Sequence, residues 1–308
     1  MTSLEARLCG WLSVGFVLDV TDLGRMNTPL LDALLFAAVV EANVGRLNGQ
    51  PALQAAYASL DQPPPDELRR PVSVNALAGS LGIPFETVRR HVNKLIKLGV
   101  IATAPGGVYV PTSMLTTPHF AAAAQARYRR VCTFYEDLVA GNVIEAMPAP
   151  PPPASDPQAP IRAVCRILGD YFFRTMASLH QQVPDPLTGL LLFDIIRAST
   201  EHVPSGQAGS MRQGLISDTE RAPVSVSRLA RRLATPYETT RRRVGWLVEQ
   251  GFCRRDRSGV LLASSYRDSS VVQAETVDNL VNVRRMFRQI AALTAGEGEA
   301  SGEGPAGR

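Results

Sequence analysis

A chain of 308 residues with 45% hydrophobic and 19% charged side chains has the apolar content to build real cores and the length for about two domains. Its net charge of +4 is too mild to name a partner by itself, and the location of that charge matters more than its sum. Cys9, Cys132, Cys165 and Cys253 stand far apart without a CxxC pair. His91, His119, His180 and His202 have no Cys, Asp or Glu neighbour at zinc spacing, which excludes a local metal or cofactor motif and predicts buried, reduced thiols.

In chain order, residues 8–20 (LCGWLSVGFVLDV) are apolar but closed by Asp19 and followed by no cleavage site, so they do not read as a leader. Residues 30–40 (LLDALLFAAVV) fall well short of the roughly 20 apolar positions that span a bilayer. Both predict buried helices of a cytoplasmic protein with no membrane contact. Helices are expected over about residues 3–18, 120–145, 161–182 and 271–292, with a breaker at 61–68 (DQPPPDEL).

Between these helices lies a repeat. Residues 71–115 and 223–267 align without a gap and share 18 identical positions of 45. Chance gives only a few, so the two segments read as a duplication. In the first copy, Val72-Ser73-Val74 is a short β-type run, and Asn75 (Ser227 in the second copy) is placed as helix N-cap. Leu77, Ala78 and Leu81 form an apolar stripe, repeated as Leu229, Ala230 and Leu233. Gly82 breaks that helix and Pro84 opens the next, which is expected to run to about Leu98 with Val88, Val92, Leu95 and Ile96 on one face. Gly99 and Gly251 are natural helix stops. Two β-type runs follow in each copy, VIATAPGGVYVP and FCRRDRSGVLLA, flanking a tight turn.

The predicted domains are residues 1–146, with their core at 71–115, and 161–294, with their core at 223–267. The Pro-rich stretch 147–160 reads as an extended spacer and the Gly-rich 295–308 as a disordered tail. The fold class is mainly α: duplicated winged helix-turn-helix modules with flanking helices and small β-wings.

Leu77, Ala78, Leu81, Gly82, Thr87, Val88, Arg90, Leu95, Gly99 and Val100 carry a specific likeness. This stretch resembles the helix-turn-helix and wing of bacterial winged-helix regulators of the GntR and MarR type. The second copy departs from that pattern at Ala234 and Thr240. The resemblance covers about 90 residues. It implies that the second helix of each copy enters the major groove of double-stranded DNA. The groove-facing residues would then be Phe85, Glu86, Arg89, Arg90 and Asn93, and in the second copy Tyr237, Glu238, Arg241, Arg242 and Gly245, with Arg243 counted among the DNA-binding residues as well. Thr87 and Thr239 would bond phosphate, and the second wing would add Arg254, Arg255 and Arg257. Arginine pairs bidentately with guanine and glutamate accepts from cytosine.

The charge is placed to suit this. Residues 71–115 carry +3 and residues 223–267 carry +7, so the rest of the chain is acidic. Glu86 and Arg89 also have the spacing of a plain helix salt bridge. Winged helices serve elsewhere as protein-interaction or chromosome-organisation modules, which is the alternative function. The flanking helices can pack the halves together, form a homodimer or enclose a small effector. No GxSxG, Walker A or HExxH motif is present, and no GxGxxG follows a strand, so no enzyme is expected.

Overall fold

The structure is a computed structural model that describes residues 4–25, 27–147, 151–203, 216 and 218–300. Within them the chain is mainly helical, with two small antiparallel sheets. The apolar runs near the N-terminus form α1 (Leu4–Arg25) and α2 (Leu30–Asn48), followed by the short α3 (Pro51–Ala56). The first core gives α4 (Val74–Leu81), α5 (Phe85–Lys97), the hairpin β1 (Ala102–Ala104) and β2 (Gly107–Tyr109), and α6 (Thr112–Leu115), leading into α7 (Pro118–Ala140). The second half repeats the order: α8 (Ile161–His180), α9 (Pro186–Ala198), α10 (Val226–Arg232), α11 (Tyr237–Glu249), β3 (Cys253–Asp256), β4 (Gly259–Leu262), α12 (Ser264–Arg267) and α13 (Ser270–Ala300).

Local chemistry sets the ends of these elements. The helix caps sit two residues earlier than expected. Ser73 Oγ accepts from Ala76 N–H at 3.1 Å, and Ser225 Oγ accepts from Arg228 N–H at 3.3 Å, so Asn75 and Ser227 lie inside the first turn. The reason is tertiary. Val72 and Val224 each form a single antiparallel bridge to the hairpin, at Val108 and Val260, which leaves the serine as the last extended residue. Of the β-type run 72–74, only Val72 therefore joins a strand.

Gly82 ends α4 in the left-handed region at φ 60°, and its partner in the second copy, Ala234, adopts φ 46°. Gly107 and Gly259 have another role. A Cβ on either would lie 2.2 or 2.3 Å from the carbonyl oxygen of Val72 or Val224, so the bridge requires glycine there.

The flanking helices interlock. α1 packs on α7 of its own half and on α9 and α13 of the other, while α8 packs on α13 and reciprocally on α2 and α7. An aromatic from each of α1, α7, α8 and α13 meets at the centre. Phe16 stacks on Phe134 at 4.1 Å, with Tyr171 and Phe287 each 6.0 Å from one of the pair. Arg162 and Arg166 of α8, both buried, donate to the carbonyls of Leu60, Leu115, Tyr57 and Gln54 in the first half. These bonds tie the halves together through two buried cations.

The spacer expectation is corrected. Residues 151–160 run through turns, Tyr128 donates to Pro152 O at 2.7 Å, and Ala159 is buried, so the described part of the linker is packed rather than extended. The tail is corrected in part. α13 continues to Ala300, past the expected end at 294, and residues 301–308 lie outside the described residues. No single helix among the described residues is long and apolar enough to cross a membrane.

Candidate nucleic-acid interface

The 3.6-residue period divides α5 and α11 into two faces. Val88, Val92 and Leu95 of α5, and Thr240, Val244 and Leu247 of α11, are buried. The buried Thr240 satisfies its hydroxyl against Thr235 Oγ1 at 2.8 Å, which is how the second copy accepts a polar group in a core slot.

The opposite faces are exposed. Phe85 and Tyr237 open the two helices with rings 43% and 50% accessible, although large apolar side chains normally seek cover. Glu86 pairs with Arg89 at 2.7 Å and Glu238 with Arg241 at 2.8 Å, and each carboxylate holds its guanidinium above the usual arginine range. Arg90, Asn93 and Arg242 project to solvent, and neither Arg90 nor Arg242 has an ion-pair or hydrogen-bond partner among the described residues. Thr87 and Thr239 are half-buried at the edge of the same face. Arg254 and Arg255 lie on β3, and Arg257 lies in the turn before β4. All three are exposed, with no partner among the described residues. Lys97, in the last turn of α5, adds an exposed cation that sequence reasoning left out.

Arg243 departs from expectation. Its Nη1 donates to Asp185 Oδ1 at 2.6 Å, and it also contacts Thr188, so it faces α9 rather than the exposed surface. Asp185 is itself the N-cap of α9, accepting from Thr188 N–H at 2.9 Å. The same position in the first copy, His91, does the same work with other residues. His91 Nδ1 and Lys94 Nζ both meet the buried Asp32 of α2 at 2.6 Å. Trp246, in the slot of Lys94, stacks on Phe252 at 5.6 Å. Position 91/243 therefore clamps the exposed helix to the scaffold in both halves.

A second clamp holds α10. Arg232 donates to the fully buried Asp194 of α9 at 2.8 Å, and Arg197 approaches the same carboxylate at 3.8 Å. These anchors were missed in the sequence, yet a signal existed. Asp32 and Asp194 interrupt otherwise apolar runs, LLDALLF and LLFDII, and a carboxylate there must find cations.

Among the described residues no group of three or more His, Cys, Asp or Glu is placed to hold a metal. The cysteine thiols are pushed up by burial, Cys9 and Cys253 to about 12 and Cys132 to about 11, which keeps them protonated. What the surface offers is two helices carrying an aromatic, a Glu–Arg pair and a free arginine in the same order. No family model, no curated protein and no solved structure matches the chain.

Proposed function

We propose that this protein reads double-stranded DNA with two winged helix-turn-helix modules carried in one chain, and acts as a transcription regulator. The observation that carries the reading is the pattern Pro-(Phe/Tyr)-Glu-Thr-x-Arg-Arg, kept twice on exposed faces where core packing does not require it. Each α5-type helix would lie in a major groove, with α4 or α10 crossing behind it and the hairpin alongside. An exposed i,i+3 pair such as Glu86–Arg89 is screened by solvent and contributes little to folding. The pair yields its arginine readily to a guanine edge, while Arg90 and Arg242 neutralise phosphates or read bases. The arginine-rich second hairpin adds backbone or minor-groove contact. The first hairpin turn, Pro105-Gly106, has no charge to offer. The second module thus supplies more of the affinity.

Selection from a random duplex pool tests the reading. The expected result is a recovered motif with two related halves, one lost by the Arg89→Ala/Arg90→Ala variant and the other by Arg241→Ala/Arg242→Ala. Recovery of no motif by the wild-type protein would remove base-specific reading from the proposal.

A further inference from the structure

Two cavities lie within the helical layer, one between α1, α9 and α13 and one between α2, α7 and α8. Each is lined by a glutamate whose carboxyl is pushed up to about 7, first by burial: Glu275 in the larger and Glu41 in the smaller. Glu275 accepts from the Gln182 amide. Glu41 has no hydrogen-bond or ion-pair partner among the described residues, although a carboxyl drawn out of water normally finds one.

The smaller cavity is open, with a volume of about 130 Å³, and its wall is mostly apolar, with Phe36, Phe120 and Phe172 among its lining. The other polar side chains of the wall are already engaged. The Thr21 hydroxyl donates to Val17 O at 2.7 Å and the Cys165 thiol to Ala124 O at 3.6 Å. Arg162 donates to the Leu60 and Leu115 carbonyls, Arg166 to those of Tyr57 and Gln54, and Arg127 to that of Ala123. Arg166 Nε has no partner, but it is closed off from the void. Gly169 accounts for the place of the Glu41 carboxyl. It lies in the middle of α8, where glycine weakens a helix, and a Cβ there would meet Glu41 Oε2 at 2.5 Å.

The charges set the kind of occupant. Three guanidiniums on the wall disfavour a cation, and since each already donates to a carbonyl, none calls for an anion. The Glu41 carboxyl is raised by burial and then by the Asp170 charge, against the pull of Arg166 and Arg174, so both of its forms are present near neutral pH. A hydroxyl serves both, donating to the carboxylate and accepting from the protonated acid. A void of this size takes a single ring, since benzene fills one of roughly 150 Å³. We propose that this cavity binds one neutral molecule of single-ring size per chain, with its ring against the phenylalanines and its hydroxyl on the Glu41 carboxyl. The occupant lies against α2, whose Asp32 holds α5 through His91 and Lys94, yet its binding does not depend on what α5 contacts.

Isothermal titration with phenol and toluene, which differ only in hydroxyl against methyl, tests the proposal. The expected result is one phenol bound per chain with a Kd below about 1 mM, and toluene at least about tenfold weaker. Glu41→Leu, which removes the unpaired carboxyl, should bind phenol no better than toluene. Gly169→Ala should displace the carboxyl and likewise lose the preference for phenol, with the helical circular dichroism kept in both variants. If one variant fails to fold, the other decides. Absence of phenol binding by the wild type up to about 1 mM, equal affinity for both probes in the wild type, or a phenol preference kept in a folded Glu41→Leu or Gly169→Ala would each overturn it.

Discussion

Arg242 and Arg243 are neighbours in sequence, but a helix turns about 100° per residue, so one faces solvent and the other faces α9. Their substitutions should separate cleanly. Arg242→Ala should weaken duplex DNA binding by about tenfold and leave the denaturation midpoint unchanged, since an exposed cation contributes little to folding. Arg243→Ala strands the largely buried Asp185 and should cost about 1–3 kcal/mol in urea denaturation. A second residue-scale prediction concerns Glu41, whose carboxyl is pushed up from 4.5 to about 7 by burial and then by Asp170. A carboxyl whose pKa is raised on folding binds more protons in the native state, so its contribution turns unfavourable as pH rises from about 4.5 through about 7 and then levels off. Glu41→Gln should therefore stabilise the protein above about pH 7, by about 3 kcal/mol at most, and the gain should vanish as pH falls toward 4.5. Urea midpoints of both proteins across that range check the sign.

At the scale of elements, the turn between the two helices of each core makes a paired test. Ala234 is held at φ 46° where the first copy has glycine, and that conformation strains a residue with a Cβ. Ala234→Gly should stabilise the chain by roughly 0.5–1 kcal/mol, whereas Gly82→Ala should destabilise it strongly, because the new methyl would lie 2.2 Å from the His180 ring. Thermal melts of the two variants should move in opposite directions. These elements were also the most legible part of the sequence. The duplicated stripes located both helix pairs and both hairpins, and the apolar period separated the exposed face of α5 from its buried face. The caps were misplaced because Ser73 and Asn75 are equally good capping residues, and the choice between them is made by the Val72–Val108 bridge, a contact distant in sequence. Arg243 was misplaced for the same kind of reason, since its partner lies on another helix. The two cavities left no local signal, because each is lined from four or more elements.

At the scale of the molecule, the shared aromatic centre and the reciprocal packing of α1 and α8 leave neither half with a complete core of its own. The full chain should unfold in one cooperative transition, with coincident near- and far-ultraviolet circular dichroism. A fragment of residues 161–300 should fail to give a compact monomer on size-exclusion chromatography with light scattering, because its faces toward α1, α2 and α7 would be bare. Interlocking also fixes the spacing of the two exposed helices, so a duplex would meet them as one rigid reader. The most direct test is the affinity for duplex DNA as a function of salt, for the wild type and for the Arg90→Ala/Arg242→Ala variant. The prediction is a wild-type affinity that falls steeply with salt, and a variant that binds at least about tenfold more weakly, with a log–log slope shallower by about two. Absence of wild-type binding even at about 50 mM salt, or an unchanged affinity and slope in the variant, would contradict the account.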